Sequence, residues 1–256
     1  MQLNGIKFKK TLIALVVVFG SIPIGITMAS SDLPIDSPDL HQSVKEVAET
    51  VLIRKISTHK KVVALTFDDG PSAKFTPVIM DVLWKYQVKA TFFVIGYRAE
   101  KFPELIAMEI NHHFQVGNHS FQHKIMTGNS QSDIYKEMMN AQHAIESAAG
   151  HKQQPRMFRP PRGRINEKIV KVANQQHYKV IMWSIDSRDW ENPGVGKIVK
   201  RVLSQVQNGD IILFHDQGGS RMQTVESLKA IIPALKKRGF ELVTVSELVN
   251  LANNKR

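Results

Sequence analysis

From Lys61 onward the sequence alternates short apolar runs with longer stretches in which apolar residues recur every three or four positions. Val62-Val63-Ala64-Leu65-Thr66-Phe67 is a run of strand length, and Val78, Ile79, Val82 and Leu83 then share one face of a helix over 76–86. The unit repeats. Strands are expected at 90–95, 115–117, 157–159, 179–184, 210–214 and 240–243. Helices are expected at 103–110, 132–149, 166–176, 195–207, 225–238 and 245–252, with Gly150 ending the one over 132–149. Strands alternating with helices predict an α/β fold with a parallel sheet under helical cover, either doubly wound or a (β/α) barrel. The polar residues favour the barrel. Asp68-Asp69, Arg159, Asp186 with Asp189, and His215 each follow the C-terminal end of a different strand, and a barrel brings such ends to one face. Residues 32–58, with Pro34, Pro38 and a weak helical pattern over 44–53, read as a spacer or a helix laid on the main domain.

The chain has 256 residues, 43% hydrophobic and 22% charged, which suits a folded protein and not a disordered tail. It has no cysteine, which excludes disulfides, Cys nucleophiles, Cys-ligated zinc and iron–sulfur clusters. Any metal site must therefore use His and carboxylates. The net charge of +11 favours polyanionic partners without choosing among them. Lys7, Lys9 and Lys10 precede a charge-free run from Thr11 to Ser31, with small residues at Thr27, Ala29 and Ser30. Residues 1–29 thus read as a signal peptide cut after Ala29, with an uncleaved membrane anchor as the rival; 30–58 is the linker and 59–252 the catalytic domain. Those first 29 residues hold three Lys and no acid, so +8 belongs to the exported part. Export makes nucleic acid an unexpected partner.

Five local patterns suggest chemistry. In Thr66-Phe67-Asp68-Asp69-Gly70-Pro71 a buried strand ends in adjacent carboxylates, which leave the strand in different directions, so one can bind a metal while the other faces a reacting water. Taken alone, the motif suits a turn or helix cap equally well. His119 and His123 are spaced i, i+4 and would share a face if the segment turns helically; with Asp69 they would make a three-ligand zinc site with an open position. A packed or solvated pair is the plain alternative, and His112-His113 is left to it. In Arg159-Pro160-Pro161-Arg162-Gly163 two prolines stiffen a turn that aims a backbone N–H, and the Arg159 fork can orient a carboxylate. His215, directly after a strand, can titrate near neutrality. Trp190 is placed to stack on a sugar ring, whereas Trp84 and Trp183 read as core.

These segments, in this order over residues 61–248, resemble the polysaccharide deacetylase family, also called the NodB-homology domain or carbohydrate esterase family 4. The resemblance implies a distorted (β/α) barrel of about seven strands, with a divalent metal, zinc before cobalt, held by Asp69, His119 and His123. It implies Asp68 as catalytic base and His215 as catalytic acid, Arg159 orienting Asp68, and Asp189 supporting His215. Leu213 and Trp190 would line the acetyl pocket, and the Arg162 N–H would serve the oxyanion. The family often has Tyr where this chain has Arg162, and some relatives with Arg there act on muramic acid residues, which bears on the choice of sugar.

The expectation is a monomeric, secreted or envelope-associated hydrolase that removes N-acetyl groups from a cell-wall glycan, peptidoglycan first and chitin oligomers second. Contact with a membrane is expected only through an uncleaved N-terminal segment. An O-acetyl xylan esterase and a carbohydrate-binding barrel without turnover are the competing readings.

Overall fold

The computed structural model describes residues 52–152 and 156–253. The signal peptide or anchor expected at 1–29, and all of the linker but its last few residues, lie outside them. Among the described residues no helix is long and apolar enough to cross a membrane.

Among the described residues nine strands form one sheet: β1 Leu52–Ile53, β2 Val62–Asp68, β3 Thr91–Val94, β4 Gln115–Asn118, β5 Met157–Phe158, β6 Lys179–Ile181, β7 Ile185–Asp186, β8 Ile211–His215 and β9 Glu241–Leu242. Their order is β1-β6-β5-β4-β3-β2-β8-β7, with β9 added to β2. Every named pair is parallel, as the strand–helix alternation requires. The path has two ends, so the barrel is open. The seven strands expected from the sequence are all present, and among the described residues β1 and β7 extend the sheet. Both are two residues long, too short to show a period, and β1 falls where the sequence suggested the end of a helix.

Eight α-helices among the described residues cover the sheet: α1 Thr76–Lys85, α2 Gly96–Lys101, α3 Pro103–Asn111, α4 Gln131–Ala149, α5 Glu167–Gln175, α6 Val195–Gln205, α7 Met222–Lys237 and α8 Val245–Asn253. Seven match the expected helices within a few residues; α2, a six-residue helix, was not expected. Ser130 caps α4 by accepting the Asp133 N–H, and Gly150 ends it at φ 73°, a conformation open to glycine at little cost.

The twofold period of β2 sets up the site. All seven of its residues are buried, yet they serve two faces. Val63, Leu65 and Phe67 pack toward the helices, with the Phe67 ring 5.0 Å from Phe92 and 5.8 Å from Phe214. Val62 and Ala64 pack on the other side with Phe93, Met157, Ile181 and Ile211. Thr66 and Asp68 continue that second face, as do Leu213 and His215 on β8, which lie level with Thr66 and Asp68. The polar ends of β2 and β8 thus point to the same face of the curled sheet.

Trp84 corrects an expectation. It is 66% exposed on α1, touching His112 edge-on at 6.0 Å, because the core face of α1 is supplied by Ile79, Met80, Val82 and Leu83. Trp183 is half-buried against the second-face cluster.

Candidate active site

Asp68, the last residue of β2, is buried. Asp69 follows at φ 78°, and this left-handed step turns its carboxylate away from the strand. The turn into α1 is held by Ser72 and Thr76: Ser72 Oγ accepts the Phe75 N–H at 3.3 Å, and Thr76 Oγ1 accepts the Ser72 N–H at 2.7 Å. The turn reading of this motif is therefore correct for its second half, while the two carboxylates face the site.

Arg159 follows β5 and is fully buried. Its Nη1 donates to Asp68 Oδ1 at 2.6 Å and to Thr66 Oγ1 at 2.8 Å; Nε donates to Ile181 O and Nη2 to Met182 O, each at 3.1 Å. The guanidinium also lies 4.1 Å from the centre of the Phe93 ring. A buried cation needs this degree of satisfaction, since desolvating it is costly unless it is both paired and hydrogen-bonded. The consequence is a fixed Asp68 whose second oxygen, Oδ2, remains directed at the histidines, 3.7 Å from His119 Nε2.

His119 and His123 do converge, but not on a helix. Ser120 and His123 take φ of 66° and 57°, and these left-handed residues curl the segment so that the two rings lie 4.9 Å apart. Glu137 of α4 steadies the curl by accepting the Phe121 and Gln122 N–H groups at 3.1 and 3.0 Å. Asn118 fixes its start: Oδ1 accepts the Ser120 N–H at 2.9 Å, and Nδ2 donates to Met138 O at 2.7 Å. His119 Nδ1 donates to the Arg159 carbonyl at 2.7 Å, which leaves Nε2 facing Asp69, donating to that carboxylate when protonated and offering a lone pair when neutral. That Nε2 is 3.5 Å, and His123 Nε2 3.1 Å, from Asp69 Oδ1.

Asp69, His119 and His123 thus offer one carboxylate oxygen and two imidazole nitrogens, all within 4.8 Å of one another. The donor set fits a divalent metal with an open position, and the carbonyl-anchored His119 is the arrangement metal-bound imidazoles commonly show. Burial works against the Asp69 charge, but hydrogen bonds to His119 and His123 outweigh it and hold the carboxyl well below its ordinary range.

His215 and Asp189 form a second dyad. Asp189, fully buried in a short helical turn Asp189–Glu191, accepts from His215 Nδ1 at 2.8 Å through Oδ1 and from the His215 N–H at 2.9 Å through Oδ2. Thr224 Oγ1 donates to Oδ2 at 2.7 Å, and Arg221 Nη1 to the Asp189 carbonyl at 3.2 Å. Burial pushes the His215 imidazole down, but the bond to Asp189 and its charge, helped by Asp68 and Asp69, raise its pKa to about 9. It carries a proton at neutral pH, and Nδ1 is committed to Asp189, so Nε2 is the nitrogen able to deliver one.

Arg162 sits at φ 55° and ψ 20° in the turn Pro161–Gly163, with an exposed side chain. Trp190 is 50% exposed, and Leu213 is buried on β8 between Thr66 and Asp186. Several supporting residues gave no signal in the sequence. Asp216 is the main one: its N–H donates to the Asp68 carbonyl at 3.2 Å, its Oδ2 accepts from Thr76 Oγ1, and its carboxylate lies hard against Gly70. Burial, reinforced by Asp69 and Asp68 and opposed by the Thr76 bond, lifts its pKa to about 7. Thr66, Asn118, Glu137, Arg221 and Thr224 are the others. Thr66, Glu137, Arg221 and Thr224 act through partners 15 or more residues away, which no local pattern records, whereas Asn118 acts on its near neighbour Ser120.

Residues 55–181 match the family described as polysaccharide deacetylase. A peptidoglycan-N-acetylglucosamine deacetylase of Bacillus cereus is 39% identical over 197 residues, covering 76% of this chain and 91% of its own. The crystal structure of the Bc1960 peptidoglycan N-acetylglucosamine deacetylase, in complex with a naphthyl N-hydroxybenzamide, superposes with a TM-score of 0.76 at 34% identity, over 80% of this chain and 95% of that one. Wild-type BA3943 from Bacillus anthracis, described as a pseudoenzyme of carbohydrate esterase family 4, superposes at 0.72 with 31% identity, over 78% and 69% of the two chains.

Proposed function

This chain belongs to the polysaccharide deacetylase family, and from that premise we propose that it hydrolyses the N-acetyl groups of N-acetylglucosamine in peptidoglycan, outside the cytoplasm and with zinc as its metal. Because the same fold also serves a pseudoenzyme, the fold alone does not carry the activity. The observation that carries it is the meeting of three elements at one sheet end: the Asp69–His119–His123 ligand set, the carboxylate of Asp68 held by Arg159, and His215 held by Asp189. A site for binding alone has no need of a matched base and acid.

When bound, a divalent metal supplies a water whose pKa falls toward about 7 and polarises the acetyl carbonyl. Asp68 takes the water proton through Oδ2, since Oδ1 is engaged by Arg159. The backbone N–H of Arg162 donates to the carbonyl oxygen as negative charge develops there. His215 delivers its Nε2 proton to the leaving amine, and Asp189 keeps that proton available near neutrality. Leu213 and Trp190 flank the acetyl group. Acetate and a free amino sugar result, with the water's oxygen in the acetate.

Arg162 supports a second reading, in which the sugar is N-acetylmuramic acid: its exposed guanidinium stands where it can meet an acidic lactyl or peptide group on the glycan. One assay tests both. Full-length protein is incubated with peptidoglycan, chitin oligomers and acetylated xylan, with and without a chelator, and acetate and new amines are measured and assigned to each sugar. Chelator-sensitive release from peptidoglycan glucosamine is expected. Release confined to muramic acid would move the assignment to the second reading, and no chelator-sensitive acetate from any substrate would overturn both.

A further inference from the structure

At the opposite end of the sheet, where β2, β8 and β9 begin, an open recess of about 800 Å³ is lined by Lys55, Thr58, Lys61, Gln207, Lys237 and Arg238 among others, with no acid in its wall. The catalytic residues all follow strand C-terminal ends, so this recess faces away from them. Its cations are held in place largely by neutral oxygens. Lys61 Nζ donates to the Arg238 carbonyl at 3.0 Å, Arg238 donates to Leu203 O at 2.8 Å and Val206 O at 3.3 Å, and Lys55 Nζ lies 2.9 Å from Gln207 Oε1. Asp210, which is buried, pairs with Lys55 Nζ at 2.9 Å.

Capping explains part of this arrangement. The ends of α6 and α7 present carbonyls here, each end worth roughly half a negative charge. With Asp210 included, about two of the four positive charges still lack compensation. The geometry also selects among anions. Arg238 has committed its fork to two carbonyls, so it offers no bidentate seat for a planar carboxylate. What remains are the lysine ammoniums, which act as point charges donating from several directions, and the Thr58 hydroxyl. Such a set suits tetrahedral phosphate oxygens.

We propose that this recess is a second binding site, for the phosphodiester groups of an anionic envelope polymer, and that it tethers the protein by the face opposite the catalytic one. The inference does not depend on the catalytic reading.

The test uses full-length protein and a fluorescently labelled glycerol-phosphate oligomer, followed by anisotropy at fixed ionic strength. Saturable binding is expected, and Lys61→Gln/Lys237→Gln should weaken it about tenfold by removing two of the contributing charges. The unfolding midpoint of the variant should stay within about 2 °C of the parent, which separates lost charge from lost fold. Unchanged affinity in the variant would overturn the proposal. Equal affinity of the parent for labelled polygalacturonate of matched charge would overturn the choice of phosphate. Binding to phosphatidylglycerol vesicles but not to the oligomer would overturn the polymer in favour of a membrane.

Discussion

Arg159 and Asp68 form an ion pair of 2.6 Å in which the arginine side chain is wholly excluded from solvent and the aspartate nearly so. Removing one partner of such a pair leaves the other charged and buried, at a cost of about 3–5 kcal/mol. Arg159→Met should therefore lower unfolding stability by that order in a urea titration. Arg159→Lys retains the charge but cannot reach Thr66, Asp68, Ile181 and Met182 together, so kcat should fall about 10- to 100-fold with little change in KM. Unchanged kcat in the lysine variant would show that Arg159 does not orient the base.

Asp189 is expected to govern the alkaline limb of the pH–rate profile. A raised pKa keeps His215 protonated up to about pH 9, so activity that needs its proton should fall only as pH passes that value. Asp189→Asn preserves an acceptor for Nδ1 but removes the charge, so the limb should move acidward, toward the ordinary value of 6.5. The loss should accordingly be larger at pH 8 than at pH 6. A profile displaced only in height would argue against this role.

Gly70 and Asp216 should be coupled. A Cβ on Gly70 would sit 2.1 Å from Asp216 Oδ2, closer than any real contact, so Gly70→Ala must shift either the Asp216 carboxylate, which is bonded to Thr76, or the loop that carries Asp68 and Asp69. Overpacking of this kind costs about 1–3 kcal/mol, and metal affinity should fall with it. Adding Asp216→Ala gives the new methyl room, so the double variant should bind metal better than Gly70→Ala alone. Strict additivity in a double-mutant cycle would sink the idea.

Glu109 on α3 is fully buried, and neither carboxyl oxygen has a hydrogen-bond partner among the described residues. Burial, with a contribution from Asp216, raises its pKa well above the usual 4.5. The folded state then holds a proton that the unfolded state has released, so stability is intact below pH 4.5 and declines as pH rises toward the folded value. The slope is about 1.4 kcal/mol per pH unit for one such group. Glu109→Gln should match the parent at pH 4.5 and exceed it at pH 8, as read by urea unfolding at the two values. Parallel stability curves would exclude the assignment.

Metal binding should be measurable without turnover. Chelation should lower the unfolding midpoint and added zinc should restore it, by about 2.7 kcal/mol at a metal concentration a hundredfold above Kd. His123→Ala should abolish the zinc response, because it removes one of three ligands. A zinc-dependent shift that survives in this variant would place the metal elsewhere.

Some of this architecture is local and was legible in the sequence. A strand announces itself by its apolar run and a helix by its 3.6-residue stripe, and parallel order follows once the two alternate. The twofold period then fixes which strand residues share a face, which is why Thr66, Asp68, Leu213 and His215 point together. Motif order was enough to nominate Asp69, His119 and His123, but the segment does not turn helically, which was the condition set on the i, i+4 argument. Left-handed residues at Ser120 and His123 bring the rings together, held locally by Asn118 and from a separate helix by Glu137.

The sequence by itself determined the alternation of elements, the strand ends that carry chemistry and the types of group available there. Tertiary structure alone decided that β1 and β7 join the sheet, that Trp84 faces solvent and that Asp216 supports the base loop. It also supplied the geometry of the Asp189–His215 pair, 26 residues apart, which the resemblance had implied only as a role. The division has a physical cause. Periodicity records how one segment meets a surface, whereas a two-residue strand, a buried carboxylate or a curled loop takes its conformation from partners far away in the chain.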